Sequence, residues 1–166
     1  METSEPSLPE TTKEFAHRLF RELHQTILQY ETGALSGNVE SVHDMRVGIR
    51  RLRVAMNNFA VCFRKKERRR WRLQLENLAN ALGGVRDLDV MIGALKAQAI
   101  LQPKPHRRAT LAFVRRLRAR RRRALFKLKT YLAGEEYAEF KLGFPATTNL
   151  SHPHQKEAHN EQASES

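Results

Sequence analysis

The sequence predicts an all-α protein, a four-helix bundle, and three observations carry the prediction. No stretch alternates apolar and polar residues cleanly, and the β-branched residues are scattered. Apolar positions recur instead at spacings of three and four, the period of a helix face. At 166 residues the chain fits one domain, large enough to bury a core without disulfides or metals.

A first helix is expected from Lys13 to Tyr30, with Phe15, Leu19, Leu23, Ile27 and Tyr30 on one side. It ends before Gly33 in a turn containing Gly, Ser and Asn. A second runs from Val39 to Phe63, and its seam of Val42, Met45, Ile49, Leu52, Met56, Phe59 and Phe63 keeps a 3,4 spacing suited to bundle packing. A third begins near Glu67 with Trp71, Leu75, Leu78 and Leu82, meets Gly83-Gly84, and resumes through Val85, Leu88, Ile92 and Leu95. The glycine pair marks either a kink or close packing against a neighbour. Pro103 and Pro105 precede a fourth helix, His106 to Leu132, with Leu111, Val114, Leu117, Leu125, Leu128 and Leu132 inward and Arg121 in the middle of that seam. The segment from Glu135 to Phe144 is compatible with further helix. The expected organisation is an acidic, disordered stretch over 1–12, a helical bundle over 13–144, and a disordered polar tail over 145–166.

Composition narrows the partners. Between Val42 and Leu132 stand 25 Lys and Arg against 5 acids, a local net charge of +20 within a chain whose total is +12. A field this one-sided opposes compaction unless something negative binds to it, and the excess of arginine over lysine favours forked recognition of phosphate oxygens. The start of the chain is acidic and holds proline, unlike a secretory signal, and no apolar run approaches the ~18 residues of a membrane span. Cys62 is the only cysteine and reads as a small buried hydrophobe. These features suggest a soluble, intracellular protein without membrane insertion.

The candidate site follows from helical geometry. At 100° per residue His43, Arg46, Arg50, Arg53 and Asn57 fall in about one quadrant beside the apolar seam. A lone arginine there would merely lay its stem over the bundle. Four aligned members spanning ~15 Å, with Asp44 the one acid close by, form a surface able to grip several linked phosphates. On the fourth helix Arg108, Arg115, Arg122 and Lys129 recur every seven residues, with Arg118 beside them. This set is a candidate second wall of the same groove. Arg116, Arg120, Arg123 and Lys127 point elsewhere and read as a solvated face.

Catalysis finds little support. Asp87 and Asp89 stand two apart, so on a helix they point in different directions, and no partner at metal-ligand spacing accompanies them. An orienting role is expected, with an acid fixing a guanidinium of the groove or that of Arg121. No nucleophile-and-base arrangement, phosphate-cradling glycine loop or cofactor motif can be assembled, and His152, His154 and His159 lie in the polar tail.

Two segments together resemble the CHAD domain family: His43-Asp44-Met45-Arg46-Val47 continuing to Arg50-Arg51-Leu52-Arg53, and Leu82-Gly83-Gly84-Val85-Arg86-Asp87-Leu88-Asp89-Val90 about thirty residues on. The resemblance implies helical bundles that bind inorganic polyphosphate through basic side chains facing a groove or pore, as non-catalytic modules. It implies ligand contact for His43, Arg46, Arg50 and Arg53 and a contribution from Arg86, with Asp87 and Asp89 structural. Arg115 and Arg122 join the expected site through helical geometry alone. The family's domains usually hold two such bundles, and the resemblance here spans about 13–144, one bundle's worth. The expectation is therefore either a homodimer that rebuilds the pore, or a half-domain with an open groove, or a truncated remnant, and the expected location is cytoplasmic, at polyphosphate granules. Nucleic acid is the competing partner, although the aromatics are mostly committed to seams and leave few stacking platforms.

Overall fold

A computed structural model describes residues 10–149, with the side chains of 147–149 excepted. The expectations for 1–9 and 150–166 lie outside the described residues. All described regular structure is helical: α1 (Thr12–Gln29), α2 (Glu31–Ser36), α3 (Val39–Asn58), a 3-10 turn (Ala60–Cys62), α4 (Lys65–Ile100), α5 (Lys104–Leu132) and α6 (Glu135–Asn149). The all-α class holds. The four long helices fall where apolar periodicity puts them, and α3 packs on α1, α4 on α3, and α5 on α4. A further helix, α6, lies against α1, α4 and α5 and completes the core.

The start of α1 is set by a capping box: the Glu14 backbone N–H donates to the Thr11 hydroxyl, and the Thr11 N–H donates to the Glu14 carboxylate. Glu10 pairs with Arg18, so ordered structure begins ahead of the expected boundary at Lys13. The buried face of α1 also differs from expectation. Ala16, Phe20, His24 and Ile27 are buried, whereas Phe15 is 39 % exposed and Leu19 and Leu23 are half-buried. The cause is α6, which brings Phe140 and Phe144 against α1 and rotates the inward face by one position. His24 stacks on Phe144 with ring centroids 5.6 Å apart, and its Nε2 meets the Phe140 carbonyl at 3.2 Å.

Burial holds the His24 imidazole below its ordinary value of 6.5. Below that value the unfolded chain takes up a proton that the folded one resists, so stability drops as pH falls. His17, lowered by its burial and by Lys13 and Arg21, acts in the same direction. Thermal melts are expected to fall between pH 7.5 and pH 5.5, and His24→Phe should flatten that dependence. An unchanged pH profile in this variant would show that His24 does not drive it.

After α1 the chain forms α2, a short helix in place of the expected turn. It closes at Gly37, whose φ of 81° is left-handed and beside which Leu125 would have to shift to admit a Cβ. Asn38 then caps α3 by accepting from the Ser41 N–H at 2.8 Å. Val42, Met45, Ile49, Leu52 and Met56 are buried as the seam predicts. The helix stops at Asn58, five residues short of expectation, and the 3-10 turn carries Cys62 and Phe63 into the core.

Helix α4 runs 36 residues, and the Gly83-Gly84 pair does not interrupt it. Its first half buries Trp71, Leu75, Leu78 and Leu82 in the main core. Farther on, Ile92 meets Val114 and Leu117 of α5 in a separate small cluster flanked by Leu88 and Leu95. Leu111, expected inward, is 36 % exposed because it lies toward the tip of this α4–α5 hairpin, beyond the main core. Helix α6 buries Tyr137, Phe140 and Phe144 and continues through Pro145 to Asn149, past the expected boundary of the polar tail.

Candidate polyanion-binding surface

The hairpin formed by α3 and α4 is antiparallel, and two contacts give its register. Near the closed end, Arg53 and Asn57 of α3 line a notch of about 50 Å³ with Arg68 and Arg72 of α4, over Met56. Two turns farther along, the Arg46 side chain crosses Gly83, its Nε 3.8 Å from where a Cβ would stand. A Cβ on Gly83 would thus meet its neighbour only at ordinary contact distance, and one on Gly84 would meet open space, so neither position is closely approached across the hairpin. One further turn brings His43 on α3 level with Arg86 on α4. Both are half-buried, whereas Arg46 and Arg50 are exposed.

The predicted stripe is thus divided. Arg53 and Arg46 turn toward α4, and Arg50 lies on the crest of α3 and lines a separate cleft against α1. Arg115 and Arg122 are exposed on α5, which packs on α4, α2 and α6. Helix α4 stands between them and α3, so they do not form the opposite wall of the Arg46–Arg53 surface. Arg68 and Arg72 take that position. Periodicity alone does not single them out among the seven basic residues from Arg64 to Arg72. The available signal was their register: at 100° per residue they share a face of α4 with Ala79, Gly83 and Arg86, the face a short connection folds back onto α3.

The electrostatics are lopsided. Of the 25 basic residues from Val42 to Leu132, only Arg70 and Arg121 are ion-paired among the described residues, with Glu139 and Asp89. His43, Arg46, Arg50, Arg53, Arg86, Arg115 and Arg122 have no acidic partner there, and the adjacent Asp44 pairs with none of them. The surface can therefore offer several guanidinium forks to one polyanion without first breaking internal pairs.

The two carboxylates of the second motif have separated roles. Asp89 accepts from Arg121 through both oxygens, and Arg121 Nη2 also donates to the Gly37 carbonyl at 2.9 Å. Side-chain exposures of 5 % for Asp89 and 19 % for Arg121 make this a largely desolvated node joining α4, α5 and the turn before α3. This is the orienting arrangement expected for Arg121. Asp87 is exposed and unpaired among the described residues.

Among the described residues no group of three His, Cys, Asp or Glu could hold a metal ion, and no helix is long and apolar enough to cross a membrane. No curated protein matches the chain. The family model described as CHAD domain matches residues 18–165. That match spans nearly the whole sequence and includes both motifs from which the surface is built, so the chain belongs to the CHAD domain family.

Proposed function

We propose that this protein is a non-catalytic module that binds inorganic polyphosphate along the α3–α4 face. The observation that supports it most directly is the convergence of Arg53, Arg68 and Arg72 on one notch, continued by Arg46 over Gly83, with no acid among the described residues paired to any of them. A flexible phosphate chain lies along this face, its oxygens bridged by successive guanidinium groups, with His43 and Arg86 at the far end. Arg50, Arg115 and Arg122 contribute longer-range attraction from neighbouring surfaces. The proposed setting is the cytoplasm, at polyphosphate granules.

A homodimer that completes a pore belongs to the same proposal. Its support is the apolar surface toward the tip of the α4–α5 hairpin, where Val90, Met91, Ile100, Leu101 and Phe113 are 45 to 87 % exposed. Sedimentation with and without polyphosphate measures the oligomeric state directly.

The binding reading is tested by competing long-chain polyphosphate against single- and double-stranded nucleic acid at physiological salt. Polyphosphate is expected to displace both. Replacing His43, Arg46 and Arg50 with glutamine should weaken it more than the same change at Arg116, Arg120 and Arg123. A preference for nucleic acid, or the reverse order of the two variants, would overturn the proposal.

A further inference from the structure

A second concavity lies on the opposite flank of α3. Between α1 and α3 runs an open cleft of about 500 Å³, a volume typical of small-ligand sites. Leu19 and Leu23 form one wall, and Val47, Val54, Ala55 and Phe59 supply the apolar remainder. Val54 is 51 % exposed, and Leu19, Leu23, Val47 and Phe59 are half-buried, so part of this apolar surface meets water. The polar side chains in the lining are Arg50, Arg51 and Asn58. At 100° per residue the two arginines straddle the line from Val47 to Val54, and neither is ion-paired among the described residues.

An apolar trough with two unpaired guanidinium groups at its edge selects its ligand on two grounds. The trough rewards a molecule with an alkyl portion, because a bare phosphate gains nothing from Leu23 and Val54. The arginines reward a negative head and disfavour a cationic one. From Arg51 to Phe59 the helix rises ~12 Å, the reach of a medium-length chain. We propose that the α1–α3 cleft binds a single-chain anionic amphiphile, with its alkyl chain along Leu19, Leu23, Val54 and Phe59 and its carboxylate or phosphate head on Arg50 and Arg51.

The test is calorimetric titration of the full chain with dodecanoate, dodecyl phosphate and dodecyltrimethylammonium below their micellar concentrations. The two anions are expected to bind and the cation not. The relative affinity of the two anions identifies whether the head is a carboxylate or a phosphate. Leu23→Gln/Val54→Gln should weaken anion binding at least tenfold, and Arg51→Gln at least fivefold. Since Arg51 is exposed, its variant decides the matter even where the double variant loses stability. Equal binding of cation and anions, or an unchanged affinity in Arg51→Gln, would overturn the proposal. So would failure of both anions while an acidic amphipathic peptide binds, an outcome that assigns the cleft to a protein partner. Polyphosphate binding is titrated separately on the same samples, so a negative result here leaves the α3–α4 reading standing.

Discussion

Asp89→Ala is expected to destabilise the fold by about 3 kcal/mol, since removing one partner of a largely desolvated ion pair strands the other. Arg121 would keep its bond to the Gly37 carbonyl but lose both carboxylate contacts in the seam between α4 and α5. The neighbouring acid supplies the control. Asp87 is exposed and unpaired among the described residues, so Asp87→Ala should change stability by no more than about 0.5 kcal/mol. Urea denaturation of the two variants measures the difference directly. A double replacement, Asp89→Ala with Arg121→Met, should recover part of the loss, because the cost lies in the stranded charge more than in the absent attraction. Equal stability of the Asp87 and Asp89 variants would refute a structural role specific to Asp89. The node also affects the binding surface, because it holds the turn from which α3 begins.

Polyphosphate affinity should fall by on the order of a hundredfold when Arg53, Arg68 and Arg72 are replaced together by glutamine. Each charge-assisted hydrogen bond contributes roughly 1.5–3 kcal/mol, and ~2.7 kcal/mol in total suffices for that factor even with strong non-additivity. The slope of log affinity against log salt should become shallower by ~2, at ~0.7 for each lost contact on the scale known for single-stranded polyanions. Replacing Arg115, Arg118 and Arg122 removes the same formal charge from α5, across α4 from the notch. That variant should lose less than tenfold. Equal losses in the two variants would mean that total charge governs binding and that the notch has no special part in it. Circular dichroism melts accompany both titrations, and because all of these side chains except the half-buried Arg68 and Arg53 are exposed, little change in stability is expected.

The parts legible in the sequence were those governed by local periodicity. Within α3 the seam positions Val42, Met45, Ile49, Leu52 and Met56 are buried, as are Trp71, Leu75, Leu78 and Leu82 of α4, because a long helix repeats its inward face often enough for the period to stand out; Phe59 and Phe63 fall beyond the end of α3, and Phe59 is only half-buried. The burial of Cys62 was legible from its small apolar side chain, and the pairing of an aspartate with Arg121 for a different reason. A charged group in an apolar seam must find a partner. The contribution of α6 was hidden, since Tyr137, Phe140 and Phe144 cover only two turns. Without them the inward face of α1 was assigned one position away, and His24 was missed as a core residue.

The sequence by itself determined an all-α chain with a basic centre, and its two motifs carried both the family and the stripe from His43 to Arg53. Helical period and charge are properties of neighbouring residues, so one dimension is enough to read them. Only the tertiary structure decided which arginines share a surface. It joined Arg53 to Arg68 and Arg72, set Arg46 over Gly83, left Arg50 beside an apolar cleft, and put α4 between α3 and the arginines of α5. Those relations depend on how helices are ordered and rotated against one another, which many distant contacts fix jointly and no local pattern records.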